Sequence, residues 1–281
     1  MATILDGKNL RDKIFKELKS QLDLMPVKPA LAVILAGNNP ASRIYVDNKR
    51  KTAKNLGINS VIAEFSENVT EQELIDKINE LNNDKNITAI LVQLPLPAHI
   101  NKDNVINAIL PEKDVDGLTY YNSGRLFSGG KPYVYPCTPK GVLLLLDEYK
   151  IDLEGKHAVI IGRSNLVSKP LAQMLLNRNA TVTVCHSKTK NLADITKTAD
   201  ILISAVGKNL VGEKYIKNNC VVVDIGIFKD ETGKIRGDVD FENVSKIASY
   251  ISPVPGGVGP MTIASLMLNT LACFKQNRCE G

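Results

Sequence analysis

Four side chains in the first half of the sequence have types and positions that could carry chemistry. Tyr45 and Lys49 lie four residues apart in a predicted helix, so their side chains share one face. Gln93 ends an apolar segment and is expected at the carboxyl end of a strand, where open α/β sheets bind ligands. Asp116 precedes a glycine in an acidic turn. Each also has a structural explanation: a surface lysine beside a half-buried tyrosine, a polar strand end and a turn residue.

Residues 157–170 have the pattern of a strand, a glycine turn and the start of a helix. Gly162 allows the tight turn, and Ser164 or Asn165 can cap the helix. The free N–H groups of such a turn bind phosphate groups. Two of the three glycines of the dinucleotide fingerprint G-x-G-x-x-G are absent, so an ordinary strand–helix turn remains the alternative.

The residues after the next predicted strand, 181–185, indicate which dinucleotide would bind. An NAD site has an acidic residue there for the ribose hydroxyl groups, whereas this chain has Ser187 and Lys188. Arg163 in the glycine turn and Ser187 offer a cation and a hydroxyl group to a 2′-phosphate. The sequence therefore favours NADP.

Three further loops place glycine at the end of a strand or the start of a helix. Gly207 and Gly226 each follow a predicted strand, where the backbone of a bound cofactor could pass closely. Residues 253–262 form a proline- and glycine-rich loop before an apolar helix, but they lack the lysine of a P-loop. The glycines of this loop suggest the close approach of a flat ligand, and a rigid linker is the alternative.

The order of predicted elements indicates an α/β protein with parallel sheets. The first domain has a helix at 10–24, a strand at 30–35, a helix at 41–56, a strand at 59–65, a helix capped by Thr70 and a strand at 87–92. The second has strands at 157–161, 181–185, 201–204, 220–224 and 248–251. The remaining segments are predicted as a loop or hairpin at 120–135, a helix starting at Thr138 and Pro139, a turn at 237–240, and a last helix ending at about Phe274.

The composition of the 281-residue chain is that of an ordinary globular protein, with 44% hydrophobic and 23% charged residues. The net charge of +5 comes from scattered lysines, so we expect no nucleic-acid surface. No apolar segment approaches the roughly 20 residues of a membrane span. The five cysteines form no C-x-x-C motif and predict reduced thiols in a cytoplasm, and none of the three histidines is assigned to a metal.

Six segments, in this order and at this spacing, resemble the bifunctional methylenetetrahydrofolate dehydrogenase/methenyltetrahydrofolate cyclohydrolase family over essentially the whole chain. They are residues 45–49, 92–97, 113–117, 162–164, 185–189 and 253–262. The resemblance implies an N-terminal folate-binding catalytic domain at 1–138 and a Rossmann-like NADP-binding domain at 139–259. Two helices would bridge these domains, with the cleft between them, and the last helix, 260–281, would pack back on the first domain.

The resemblance also implies a role for each candidate residue. Tyr45 would stack against the folate and Lys49 would be the catalytic base. Gln93 would orient that lysine, and Asp116 would bind the pterin edge. The substrate site would also include Pro255, Gly256 and Gly257. The cofactor site would comprise Gly162, Arg163, Ser164, Ser187, Ala205, Gly207, Ile227 and Thr262.

The implied activity belongs to one-carbon metabolism and purine biosynthesis. NADP would oxidise 5,10-methylenetetrahydrofolate to the 5,10-methenyl form, which would then be hydrolysed to 10-formyltetrahydrofolate. The resemblance further implies tetrahydrofolate derivatives as substrates and a homodimer. Two interpretations remain open: another NADP-dependent two-domain dehydrogenase, and a catalytically silent NADP-binding sensor.

Overall fold

The computed structural model describes residues 1–279, which form helices and strands. The strands are β1 Thr3–Ile4, β2 Ala30–Ala36, β3 Asn59–Phe65, β4 Ala89–Val92, β5 His157–Ile161, β6 Thr181–Cys185, β7 Ile201–Ser204, β8 Val221–Asp224, β9 Phe228–Lys229, β10 Ile235–Arg236 and β11 Tyr250–Ile251. The helices are α1 Gly7–Asp23, α2 Pro40–Leu56, α3 Glu71–Asn83, α4 Lys102–Asn107, α5 Tyr120–Phe127, α6 Cys137–Glu148, α7 Ser168–Leu176, α8 Leu192–Thr196, α9 Phe241–Val244 and α10 Val258–Cys279, with a 3-10 turn at Glu213–Tyr215. None of these helices is long and apolar enough to cross a membrane.

The chain divides into two compact units. The six-stranded unit comprises Met1–Lys13 and Cys137–Ser265, and the three-stranded unit comprises Ile14–Pro136 and Leu266–Gly281. Two of the three divisions fall inside α1 and α10, and the third falls immediately before α6. The domain boundaries at 138 and 259 stay a prediction.

The three-stranded unit has a parallel sheet in the order β3-β2-β4. Every residue of β2 is buried, as expected for a central strand covered on both faces. Leu74 and Ile78 of α3 belong to the core on this sheet, and α3 begins with the predicted capping box at Thr70. The chain passes from β2 to one neighbour and later to the other. The loops that follow β2 and β4 therefore border a switch-point crevice, where such sheets bind ligands.

The six-stranded unit has a parallel sheet in the order β1-β11-β8-β7-β5-β6. Its switch point lies between β5 and β7, because the chain first adds β6 on one side of β5 and then β7 on the other. The edge strand β1 comes from the chain start and pairs with β11, which the sequence did not predict. The antiparallel β9–β10 hairpin was also not predicted.

The structure corrects the prediction for residues 120–135. A helix, α5, occupies the first half of this segment instead of a loop or hairpin. Thr119 caps it by accepting a hydrogen bond from the Asn122 N–H, and Asn122 and Leu126 are buried. Their burial outweighs the low helix propensity of a Gly-, Ser- and Tyr-rich sequence. In addition, α6 begins at Cys137 rather than at Thr138, and the last helix extends to residue 279.

Candidate functional site

The Lys49 amine and the Gln93 amide are in direct contact. Lys49 Nζ donates a hydrogen bond to Gln93 Oε1 at 2.9 Å, and Gln93 Nε2 donates to Leu94 O at 2.7 Å. Because an ammonium group can only donate and a carbonyl oxygen can only accept, both bonds favour the same orientation of the amide. The Gln93 backbone N–H continues the sheet by donating to Ile34 O at 2.9 Å. The amide therefore lies beside the switch-point crevice of this sheet.

Helix α2 presents Lys49 and Tyr45 on one face. The helix follows β2 directly, since Asn39 caps the first turn, Pro40 begins the helix and Gly57 ends it in the left-handed conformation. Tyr45 lies one turn before Lys49 and is 49% exposed. Its ring is available to stack against a planar ligand.

Lys113 and Asp114 hold the turn that carries Asp116. Lys113 Nζ donates to three backbone carbonyl groups at the end of α3, at 2.7–3.0 Å, and burial lowers the pKa of this amine. Asp114 accepts the Thr119 N–H at 2.8 Å and the Asn122 amide at 3.0 Å. Burial raises the pKa of the Asp114 carboxyl group, which is 1% exposed. These two residues are structural, which the sequence analysis missed.

Asp116 is held beside β4 by the backbone. Ile90 N donates to Lys113 O at 2.7 Å, and Val115 N donates to Ile90 O at 3.3 Å. Within residues 1–279, no group hydrogen-bonds the half-buried Asp116 carboxylate, so both of its oxygens can accept hydrogen bonds from a ligand. It makes no direct contact with Lys49 or Gln93 through hydrogen bonds.

Gly162 forms a cradle at the switch point of the six-stranded unit. Its φ of 135° is unfavourable for other residues. A Cβ atom here would lie 2.6 Å from Ser168 Oγ and 2.8 Å from Ala205 O. Ser168 is the first residue of α7, and its buried hydroxyl oxygen has no hydrogen-bond partner among the described residues. A helix N-terminus with a narrow glycine approach and an unpartnered hydroxyl group fits a phosphate-bearing ligand.

Arg163 and Ser187 follow the paired ends of neighbouring strands. Ile161 of β5 is in register with Cys185 of β6, so each candidate residue lies two positions beyond the same pair. Both side chains are exposed. The Ser164 side chain, by contrast, hydrogen-bonds the turn itself, because its Oγ accepts the N–H groups of residues 167 and 168 at 3.2 and 3.3 Å. It shapes the turn, and α7 starts at Ser168 rather than directly after Ser164.

Ala205, Gly207 and Ile227 lie in the loops that follow β7 and β8. Ile227 is 49% exposed. Two buried carboxylates that the sequence analysis did not assign, Asp224 and Asp238, accept hydrogen bonds from the backbone of these loops. The sequence predicts only a turn at Asp238. A signal was present, because Asp224 is a charged residue at the end of an otherwise apolar strand.

The loop 253–262 packs against the start of α1. Lys8 N donates to Gly256 O at 3.0 Å, and a Cβ atom on Gly7 would overlap Gly257 O. Gly256 has a φ of 116°, and Pro255 is exposed. Thr262 Oγ1 lies 3.1 Å from Thr138 Oγ1, which ties the first turn of α10 to α6. The loop is therefore a rigid wall within the six-stranded unit.

Potential metal ligands and thiols occur across the described part of the chain. Residues 1–279 contain no group of three or more His, Cys, Asp or Glu side chains that could hold a metal ion. Cys137, Cys185, Cys220 and Cys273 are buried and form no disulfide bond with one another. Burial raises the pKa of the Cys220 thiol to about 12, so this thiol is a poor nucleophile.

Two family models cover most of the chain. Residues 5–116 match the catalytic domain of tetrahydrofolate dehydrogenase/cyclohydrolase, and residues 136–278 match its NAD(P)-binding domain. The chain belongs to the tetrahydrofolate dehydrogenase/cyclohydrolase family. The first match contains Tyr45, Lys49, Gln93 and Asp116. The second contains the loops that carry Arg163 and Ser187, and the loop 253–262.

Members of this family resemble the chain along nearly its whole length. The bifunctional protein FolD of Ligilactobacillus salivarius is 53% identical over 275 residues, which is 96% of each chain. The crystal structure of the FolD enzyme of Campylobacter jejuni is 52% identical and covers 98% of this chain and 99% of its own, with a TM-score of 0.96. The Trypanosoma brucei FolD structure, complexed with NADP and an inhibitor, is 38% identical and covers 98% of each chain, with a TM-score of 0.93. The α/β fold predicted from the sequence is thus confirmed.

Proposed function

We propose that this chain oxidises 5,10-methylenetetrahydrofolate to the 5,10-methenyl form with NADP and then hydrolyses that product to 10-formyltetrahydrofolate. The observation that carries the proposal is the 2.9 Å hydrogen bond between Lys49 Nζ and Gln93 Oε1 beside the switch-point crevice. It provides an oriented amine where the family's catalytic domain is matched. The names of the relatives, which include bifunctional FolD proteins, support both reactions.

We assign the NADP site to the six-stranded unit. Gly162 and the start of α7 would receive the pyrophosphate, since the glycine leaves room there and Ser168 has an unpartnered hydroxyl group. Arg163 and Ser187 would bind the 2′-phosphate. Bound NADP would supply the hydride acceptor of the first reaction. The loops at Ala205–Gly207 and Ile227 would hold the rest of the cofactor.

The two reactions place different demands on the protein. Loss of hydride from the methylene carbon is assisted by the lone pair of a neighbouring nitrogen, so the first reaction needs accurate positioning more than a base. Tyr45 would stack against the folate, and Asp116 would accept hydrogen bonds from the pterin amino group and ring nitrogen. The free Asp116 carboxylate and the exposed Tyr45 ring support these roles.

Hydrolysis of the methenyl form requires proton transfer. Water attacks the carbon between N5 and N10 and loses a proton as the new C–O bond forms. The bond from this carbon to N5 then breaks, N5 takes up a proton, and the formyl group remains on N10. Lys49 in its uncharged form, which a neighbouring cationic substrate favours, would accept the proton from the water. Gln93 would keep the amine in position through the hydrogen bond at its Oε1.

The loop 253–262 would line the substrate site with Pro255, Gly256 and Gly257, and Thr262 would contribute to the cofactor site. We further infer from the family resemblance that the protein is a cytoplasmic homodimer that does not bind nucleic acid. The four described cysteines form no disulfide bond with one another, as expected in a reducing compartment. Light scattering on the purified protein tests the dimer.

A spectrophotometric assay tests the function directly. The purified protein is given methylenetetrahydrofolate with NADP, then with NAD, and finally the methenyl form alone. We expect NADPH formation, weaker activity with NAD, and methenyl decay above the uncatalysed rate. NADPH formation without methenyl hydrolysis would favour another two-domain dehydrogenase. NADP binding without either reaction would favour a sensor.

A further inference from the structure

Asp238 hydrogen-bonds along the loop that follows β7, at the carboxyl end of the six-stranded sheet. It is completely buried, and its carboxylate accepts hydrogen bonds from Ser204 Oγ at 2.8 Å, Val206 N at 2.7 Å and Lys208 N at 2.8 Å. Its backbone carbonyl oxygen also accepts the N–H groups of residues 210 and 211 at 2.8 and 2.9 Å. Asp238 therefore fixes the start of this loop through its carboxylate and the end of the loop through its backbone.

Asp224 holds Asp238 in turn. Asp224 lies at the end of β8, and its Oδ1 accepts the N–H groups of Gly226 at 3.1 Å and of Asp238 at 3.0 Å. Its Oδ2 accepts the Val239 N–H at 3.0 Å. Ser252 Oγ accepts the Asp224 N–H at 2.7 Å. The carboxylate thus joins the end of β8 to the segment that carries Asp238.

Two glycines make room for this pair of carboxylates. A Cβ atom on Gly226 would overlap Asp238 Oδ1, and a Cβ atom on Gly237 would overlap Asp224 Oδ2. Neither glycine has a positive φ, so the requirement comes from space and not from the backbone conformation. Each carboxylate lies against the glycine of the other segment, which locks the loop after β8 to the segment 237–239.

The loop held by Asp238 borders the switch-point crevice. Its first residue, Ala205, follows β7, and Ala205 O would lie 2.8 Å from a Cβ atom on Gly162. The loop after β7 and the glycine turn after β5 are therefore the two sides of the crevice in which open α/β sheets bind their ligands. A displacement of the loop by a few tenths of an ångström would change the width of this crevice.

We propose that Asp238 is a positioning residue for the cofactor site, and that Asp224 acts through it. The inference rests on the proposed function, because it treats the crevice as the NADP site. Burying two carboxylates close together costs free energy. Neutral hydrogen-bonding side chains could hold an ordinary loop without that cost. Burial raises the pKa of the Asp224 carboxyl group to about 7, which reflects that cost. A short, charge-assisted set of bonds gives the loop a single conformation.

The experiment compares Asp238→Asn with a matched control, Asp200→Asn. Asp200 precedes the same strand, β7, at its opposite end, where it accepts the His157 N–H at 2.8 Å and pairs with Lys217. For each full-length protein, NADP is titrated by fluorescence, the KM for NADP is measured with methylenetetrahydrofolate, and methenyl hydrolysis is measured without nicotinamide. The melting temperature is recorded in parallel.

We expect Asp238→Asn to raise both the dissociation constant and the KM of NADP about tenfold, as the loss of charge-assisted hydrogen bonds predicts. Methenyl hydrolysis transfers no hydride, so its kcat should stay within about twofold of wild type. Asp200→Asn should change the melting temperature without weakening NADP binding. A folded Asp238→Asn protein with wild-type NADP affinity would overturn the proposal. So would equal losses in the two reactions.

Ser204→Ala keeps the inference testable if Asp238→Asn does not fold. This variant removes one donor from the Asp238 carboxylate and leaves the carboxylate in place. It should weaken NADP binding about threefold, with no change in methenyl hydrolysis. Unchanged NADP affinity in Ser204→Ala would then overturn the proposal. If the wild-type protein turns over neither folate, only the proposed function fails, because NADP titration of the variants still reports on the loop.

Discussion

The buried Asp224 carboxyl group should make the stability of the protein depend on pH in the neutral range. Burial raises its pKa from 3.8 to about 7 in the folded protein. Between these two values, the folded protein holds a proton that the unfolded chain has released. Raising the pH therefore favours unfolding, and the free energy of unfolding falls until the pH passes about 7.

The size of the effect follows from the two pKa values. From pH 5 to pH 7, the wild-type protein should lose about 2 kcal/mol of stability through this group, because the slope approaches about 1.36 kcal/mol per pH unit only where the unfolded chain is deprotonated and the folded protein is still protonated. Asp224→Asn cannot titrate and lacks this slope. It should also be less stable at pH 8, because its amide cannot accept all three N–H bonds that the carboxylate accepts.

Urea unfolding of both proteins at pH 5, 6, 7 and 8, followed by circular dichroism, measures the difference. Titrating groups remote from Asp224 contribute equally to wild type and variant and cancel in the subtraction. Asp200→Asn serves as the control, because hydrogen bonds from Lys217 and His157 lower the pKa of Asp200 and so place its titration below this range. If the free energies of wild type and Asp224→Asn run parallel from pH 5 to pH 8, the reasoning is refuted.

Three further predictions concern the reactions. Lys49→Met should reduce methenyl hydrolysis about 10²–10⁴-fold and should reduce hydride transfer less. The control Lys51→Met, on the same helix, should change neither reaction. If Lys49→Met keeps hydrolysis but loses hydride transfer, Lys49 is not the base. Arg163→Ala should raise the KM for NADP about tenfold or more and barely alter the KM for NAD. Equal increases in the two KM values would exclude a contact between Arg163 and the 2′-phosphate. Asp116→Ala should weaken folate binding in both reactions, which a folate titration measures. The control Glu112→Ala should leave folate affinity unchanged. If Asp116→Ala also has unchanged folate affinity, Asp116 is only a turn residue.

The elements that were predicted correctly depend on local patterns. The strands at 59–65, 157–161, 181–185 and 201–204 have the predicted bounds, because each is a short apolar or alternating segment between turn residues. The Thr70 capping box needs only two residues three positions apart. The contact between Lys49 and Gln93 is different. It joins residues 44 positions apart, and only the family resemblance predicted it.

The features that were missed depend on partners far along the chain. The strand β1 has only two residues, and it pairs with β11, which lies near the opposite end of the sequence. The helix α5 owes its existence to the burial of Asn122 and Leu126 rather than to helix propensity. Asp224 and Asp238 lie 14 residues apart and acquire a role only when the sheet brings the ends of β7 and β8 together.

One topological feature explains where the candidate chemistry lies in each unit. In the three-stranded unit, the chain changes sides at β2, and the oriented pair of Lys49 and Gln93 comes from the helix after β2 and the end of β4. In the six-stranded unit, the change occurs at β5, and the crevice there lies between Gly162 and the loop held by Asp238. Loops diverge at such a point and leave their backbone groups accessible. A side chain that fixes one of these loops therefore controls a binding site without touching the ligand, which is the role we infer for Asp238.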